Sequence, residues 1–360
     1  MKRLSGKSGY ARLFIAIGFC CIVGCGSGDA SAPSSGGNGG NGGNGGGSSS
    51  IPTTPASANA ISRDPGGVAL NNDSGRIYFV AFGYDLFAEL DSETGQVLRH
   101  ETLAGGPIRS VFEPTSKRLY VALIRNDSLS VLPQDGASSS LSIPVGHNPR
   151  ALALNPLTKL LYVANYGGAS LSVVDTTSNT VKASGTLRGF PRHITVNPNT
   201  NLVYVSHFLE NTVSVLNGDT LREVAVVPVG KNPNYLWVDL ASNAIYVANS
   251  GSGSVSVIDG TSQTVRITLP VGALPAGIVG DVVGKRLFVA LEGGRSVSIF
   301  DVADPFNPIL TQEIPLPHLA QGIAFHAKKR ILYVADYQSS QITLIPPALA
   351  PLKTIAIPTH

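Results

Sequence analysis

Arg150 and Arg192 each follow a proline, and they stand 42 residues apart. Guanidinium groups brought side by side present planar forks that match a carboxylate, a sulfate or a phosphate. Asn234 holds the same place after Pro233, while Arg109 and His193 come one residue later, after Pro107 and Pro191. This set suits the binding of an anion. Histidine adds a second option, because His193 and His207 could meet across a strand pair, as a base or a metal pair requires. No His-Glu-x-x-His or comparable spacing accompanies them, and Glu210 is the one carboxylate close by in sequence. A structural role is therefore the stronger reading for both histidines.

Covalent chemistry has no evident carrier. There is no Gly-x-Ser-x-Gly elbow, and the glycine runs sit in hairpin turns or a low-complexity stretch rather than ahead of helices, so phosphate loops are missing too. Asn71-Asn72-Asp73-Ser74-Gly75 resembles part of a calcium loop but lacks its terminal glutamate. Other parts of the chain carry a turn such as Asn197-Pro198-Asn199-Thr200 at the corresponding place, so an Asx turn accounts for it. Neither a metal nor a cofactor is expected.

The elements that must position these residues are short and regular. Leu160 to Asp175 holds two apolar runs rich in β-formers around a glycine turn, which reads as a β-hairpin. Variants of it recur. A proline precedes each of the first six copies, Pro65, Pro107, Pro149, Pro191, Pro233 and Pro275, at a constant spacing of 42 residues. A seventh copy starts at Ala320, displaced by an inserted stretch, Ala303-Asp304-Pro305-Phe306-Asn307-Pro308. In the third copy the strand-like runs are Arg150–Asn155, Leu160–Ala164, Leu171–Asp175 and a weaker one near Val181–Thr186. Four antiparallel strands per repeat of about 42 residues predict an all-β fold, a seven-bladed β-propeller over residues 65–360. A charged fraction of only 14% agrees with blades buried on both faces.

Leu161-Tyr162-Val163-Ala164-Asn165, Ile245-Tyr246-Val247-Ala248-Asn249 and Leu332-Tyr333-Val334-Ala335-Asp336 resemble the YVTN-type β-propeller repeat. So do Ser256-Val257-Ile258-Asp259 and Pro270-Val271-Gly272 after the second of them. That family includes lactonase-like enzymes, surface-layer proteins and envelope proteins with no assigned reaction. The resemblance implies a shape and leaves the chemistry open. Blade seven supplies its own fourth strand, Lys353-Thr354-Ile355-Ala356-Ile357, so the ring is expected to close by side-chain packing between blades one and seven, alone or with residues 51–61.

In a propeller the first strand of each blade starts on the same face as the turns between second and third strands, around the channel mouth. That face is the default ligand site. Its expected binding residues are Arg109, Arg150, Arg192, His193, His207, Asn234, Glu292 and Asp336. Arg125, His147 and Lys231 add positive charge on blades two to five, while Asp64, Glu292 and Asp336 lie on blades one, six and seven, so a mouth split by charge is expected. The leading reading is a binding or scaffold module, most simply a monomer, with a small molecule, polymer or protein as ligand. The competing reading is a lactonase-like hydrolase using the same mouth, with residues such as His193, Glu292 or Asp336. A redox propeller would need an axial histidine there.

Residues 1–24 read as a signal peptide: Lys2, Arg3, Lys7 and Arg12 precede an apolar run from Leu13 to Val23 that is too short to span a bilayer. Ile22-Val23-Gly24-Cys25 resembles the lipobox of bacterial lipoproteins, which implies a diacylglycerol on Cys25 and an address in the cell envelope. Gly26 after it implies the outer membrane. Residues 25–64 form a tether rich in glycine, serine and asparagine that cannot offset its ordering entropy. Losing the four basic residues leaves 22 Lys and Arg against 23 acids, so the net charge becomes −1 rather than +3. The basic balance belongs to the signal peptide, and nucleic acid is not an expected partner.

Overall fold

The computed structural model describes residues 67–134, 141–336, 341–349 and 353–357. The signal segment, Cys25, the tether, Asp64 and the side chain of Asp336 lie outside the described residues. Within them, strand-length runs of β-branched and aromatic residues pair into seven four-stranded antiparallel sheets, each built from consecutive strands a to d. In blade 3 these are Pro149–Asn155, Leu160–Asn165, Ser170–Asp175 and Thr180–Thr186. The other strands a are Gly67–Asn71, Pro107–Glu113, Pro191–Asn197, Pro233–Asp239, Pro275–Asp281 and Ala320–His326.

Each strand a touches those of the two neighbouring blades, and blade 7 returns to blade 1, so the strands a ring a central channel. Strand b is apolar on both faces because each face meets another blade; in Leu160–Asn165 every residue is buried. The core is divided accordingly. Ile77, Phe79 and Leu90 of blade 1 share one cluster with Tyr333, Ile342 and Leu344 of blade 7, and Tyr162 and Leu171 of blade 3 share another with Ile194 and Val203 of blade 4. Among the described residues the ring closes by side-chain packing, with no strand exchanged between blades.

The tyrosine of strand b does more than pack. Tyr120 donates to the carbonyl of Thr176 at 3.2 Å, and Tyr162 to that of Gly218 at 3.0 Å. Tyr246 donates to Pro305 at 3.3 Å, and Tyr333 to Ser92 at 2.7 Å. Each hydroxyl reaches the turn between strands c and d of the next blade, and the Tyr333 bond carries the pattern across the closure. Burial pushes the Tyr120 and Tyr162 phenols up to about 12, so they remain donors at any physiological pH.

Turns are set by local chemistry. Asn71 Oδ1 accepts the N–H groups of Asp73 at 3.0 Å and Ser74 at 3.2 Å, which makes the calcium-like stretch the expected Asx turn. Asp91 and Asp175 end their strands c in the same way.

Candidate ligand-binding face

One backbone irregularity aims the candidate residues. In blades 2 to 7 the pairing of strand a with strand b slips just after the first residue of strand a, so the residue following it bulges out of register. A bulge re-aims its side chain and is frequent beside functional sites. Arg150 and Arg192 occupy this position, and the bulge of blade 5 begins at Asn234. Arg150 lies over the Tyr166 ring at 5.3 Å, and Arg192 over the Phe208 ring at 5.8 Å. Arg192 Nε also donates to Asn234 Oδ1 at 2.9 Å, which ties blade 4 to blade 5. A third guanidinium, Arg125, sits 5.1 Å from the Phe82 ring centroid. Cations held on aromatic faces in this way are ordered before any ligand arrives.

One residue deeper, Arg109 of blade 2 hydrogen-bonds the hydroxyl of Tyr235 in blade 5. Blades 2 and 5 stand on opposite sides of the ring, so this tie spans the channel. His193 packs on the Tyr235 ring with centroids 4.5 Å apart, and its Nδ1 accepts the Leu236 N–H at 3.3 Å. Burial, then the charges of Arg109 and Arg192, push the imidazole down to about 3. His193 is thus neutral, with its proton on Nε2. The corresponding places in the other blades hold Gly67, Ala151, Gly277 and Gly322, so three long side chains occupy a level the others leave open.

The remaining sequence candidates are placed differently. His207 is fully buried, and its Nε2 meets Ser214 Oγ at 2.9 Å. That hydroxyl donates to Glu223 Oε1 at 2.8 Å, so the imidazole is the donor in the first bond. Asn165 and Asn249 make the same reach to strand c, through Ser172 and Ser256. Burial lowers the His207 pKa against the opposing pull of Glu210. Its role is internal to the blade. Glu292 is half-buried at the turn of blade 6, its N–H bonded to Leu274 O at 3.0 Å.

Two carboxylates escaped the sequence reading. Asp85 accepts the Gly106 N–H at 2.8 Å and pairs with Arg125. Asp127 accepts the Asn148 N–H at 2.8 Å and meets His147 Nδ1 at 2.9 Å, and these contacts, the backbone one first, lower its pKa. Both stand in the left-handed region, at φ 48 and 49, where aspartate is tolerated. Asp85 lies on blade 1, on the side expected to be acidic, whereas Asp127 stands on blade 2 beside His147 and interrupts the basic side of the expected charge split. The signal was present: Asp85, Asp127 and Asn211 precede strand c at multiples of the same 42-residue spacing.

Open hollows lie elsewhere. A cavity of about 360 Å³ opens on the opposite face, lined by Leu70, Val111, Phe112 and Leu154 among others. Its one exposed carboxylate, Asp73, is paired with Lys328 at 2.6 Å. The lining is chiefly apolar side chains and turn backbone. Among the described residues, no group of three or more His, Cys, Asp or Glu is placed to hold a metal ion.

The architecture and the repeat find their counterpart in a family model, that of the YNCE-like β-propeller, which matches residues 101–342. The chain belongs to the YNCE-like β-propeller family. No curated protein sequence matches it. Among solved structures, hydrazine synthase of Kuenenia stuttgartiensis is similar at TM-score 0.70 and 19% identity, covering 82% of this chain and 100% of that chain. A functionally unknown protein from Desulfotomaculum acetoxidans reaches 0.68 at 14% identity, covering 79% and 99%. A streptogramin B lyase reaches 0.65 at 14% identity, covering 77% and 92%. At such identities the likeness is one of fold, and the family membership adds no reaction.

Proposed function

We propose that this YNCE-like propeller is a binding module of the cell envelope, and that an anionic ligand docks on the face formed by the strand-a starts. The observation that carries the reading is the row of arginines on that face, Arg125, Arg150 and Arg192, each stacked on an aromatic ring. Stacked guanidiniums lose little freedom when they fork onto a carboxylate or phosphate, so they suit recognition better than solvated lysines would. His193 and His207 are committed to internal contacts, which favours binding over acid–base turnover.

A thermal-shift panel of small and polymeric anions tests the reading. A ligand of this face should stabilise the wild-type protein and leave Arg150→Ala/Arg192→Ala unmoved. An unchanged shift in that double variant, or turnover of a lactone panel that depends on Glu292, would count against it. The proposal includes an address and a membrane partner, since the lipobox-like Ile22-Val23-Gly24-Cys25 supports a diacylglycerol anchor. Cys25→Ser should move the protein from the membrane to the soluble fraction and end labelling by a fatty-acid probe.

A further inference from the structure

Resting on that reading, we infer that the face on blades 3 and 4 recognises a carboxylate-bearing polysaccharide, a polymer of uronic acid type. Two kinds of surface alternate there. Phe190, in the loop that leads into Pro191, is 40% exposed and packs on Tyr166 with ring centroids 5.5 Å apart. Arg150 lies against the other partner of that pair, Tyr166, at 5.3 Å. In the next blade Arg192 lies over Phe208 at 5.8 Å, beside Leu209, which is 58% exposed.

Phe190 offers an exposed apolar ring face, with the half-buried Tyr166 ring tilted 39° against it, which suits the C–H face of a pyranose ring. A guanidinium ordered beside it matches the planar carboxylate on the same ring. The unit of aromatic plus arginine is present in both blades, so successive sugars of one chain can use successive blades. A polymer lying along the rim needs no enclosed cavity.

Charge argues for a sparse anion over a dense one. Asp127 stands on the adjoining blade 2 with its side chain 45% exposed, Asp85 on blade 1 is 31% exposed, and Glu210 is exposed next to Leu209. A polyphosphate or nucleic acid, with a charge at every short step of its backbone, would meet these carboxylates repeatedly. A polymer with one carboxylate per sugar can place its charges on Arg150 and Arg192 and its rings elsewhere.

Calorimetric titration of the full chain with four probes tests this. Polygalacturonate should bind, whereas polyglutamate, with carboxylates but no sugar rings, and dextran, with rings but no charge, should bind at least tenfold more weakly. Phe190→Ala should weaken polygalacturonate roughly three- to tenfold, the range for loss of an aromatic contact. Tyr166→Phe should bind as wild type and Tyr166→Ala should not, with melting temperatures checking that each variant is folded. Polyphosphate, the fourth probe, should not compete. Equal binding of polyglutamate or polyphosphate would overturn the polysaccharide assignment while leaving the anion-binding face intact. Dextran binding as well as polygalacturonate would overturn it by removing the role of charge. If none of the anions bound, both the inference and the reading beneath it would fall.

Discussion

His193 sits where electrostatics and packing act on the same atoms. Its Nδ1 is spent on the Leu236 N–H, its ring on Tyr235, and the guanidiniums of Arg109 and the adjacent Arg192 act on its charge. The consequence for stability has a definite sign. An unfolded chain protonates this histidine below its ordinary value near 6.5, whereas the folded protein holds it neutral down to about 3. Between those values the unfolded state binds more protons, so stability is full above the window and is lost as pH falls through it. A pH series of denaturant melts should show a steeper acid loss for wild type than for His193→Gln. Parallel curves for the two proteins would show that the imidazole is solvated rather than held neutral.

At the scale of the element, neighbouring blades share an apolar seam, and blades 2, 3, 5 and 7 each add a polar clasp to the next blade. The clasp is the tyrosine hydroxyl of strand b on the neighbouring turn, as in Tyr162 on Gly218. Tyr162→Phe keeps the ring and leaves a carbonyl without its donor, so about 1–2 kcal/mol of stability should be lost, readable from urea unfolding. Seams depend on complementary size. Gly280 in blade 6 faces the Trp237 indole of blade 5, and a β-carbon there would overlap the ring. Gly280→Ala should therefore displace Trp237 and cost about 1–3 kcal/mol, with a red shift of tryptophan fluorescence as the direct readout, since Trp237 is the protein's one tryptophan. An unshifted spectrum would mean that the two blades can part slightly at no cost.

For the molecule as a whole, closure of the ring is what makes separate hairpins one cooperative unit. Asp281 shows how ionic contacts contribute. Its side chain is 3% exposed, and its Oδ2 lies 3.1 Å from Arg286 in its own blade and 2.7 Å from Arg330 in blade 7. Burial raises the carboxyl pKa, but the Gly284 N–H and the two guanidiniums together outweigh it and hold the group below its usual range. A depressed carboxylate stabilises the fold above its unfolded value, and that contribution is lost as pH falls through the folded one. Asp281→Asn should thus cost about 1.5–3 kcal/mol near neutrality, the range for hydrogen bonds to charged groups. The difference from wild type should shrink as pH falls below the ordinary aspartate value of ~3.9 and through the depressed folded value. A difference that persisted in acid would assign the loss to packing instead.

What the sequence determined alone is everything that depends on neighbours along the chain. The count of blades, the four strands of each, and the Asx turns at Asn71, Asp91 and Asp175 follow from alternation, spacing and local side-chain-to-backbone bonds. Partnership is another matter. Arg109 and Tyr235 are 126 positions apart and meet only because the ring brings blades 2 and 5 to opposite walls of one channel. Sequence likewise placed His207 among the mouth residues, since it holds the position of Asn165 and Asn249, yet that shared position is what turns it inward to strand c. Asp85 and Asp127 were legible as turn residues but not as partners of Arg125 and His147, because those pairings join successive blades. Repetition along the chain specifies what each blade is. Only closure in space decides which side chains of different blades face one another, and the chemistry of the binding face is made of those encounters.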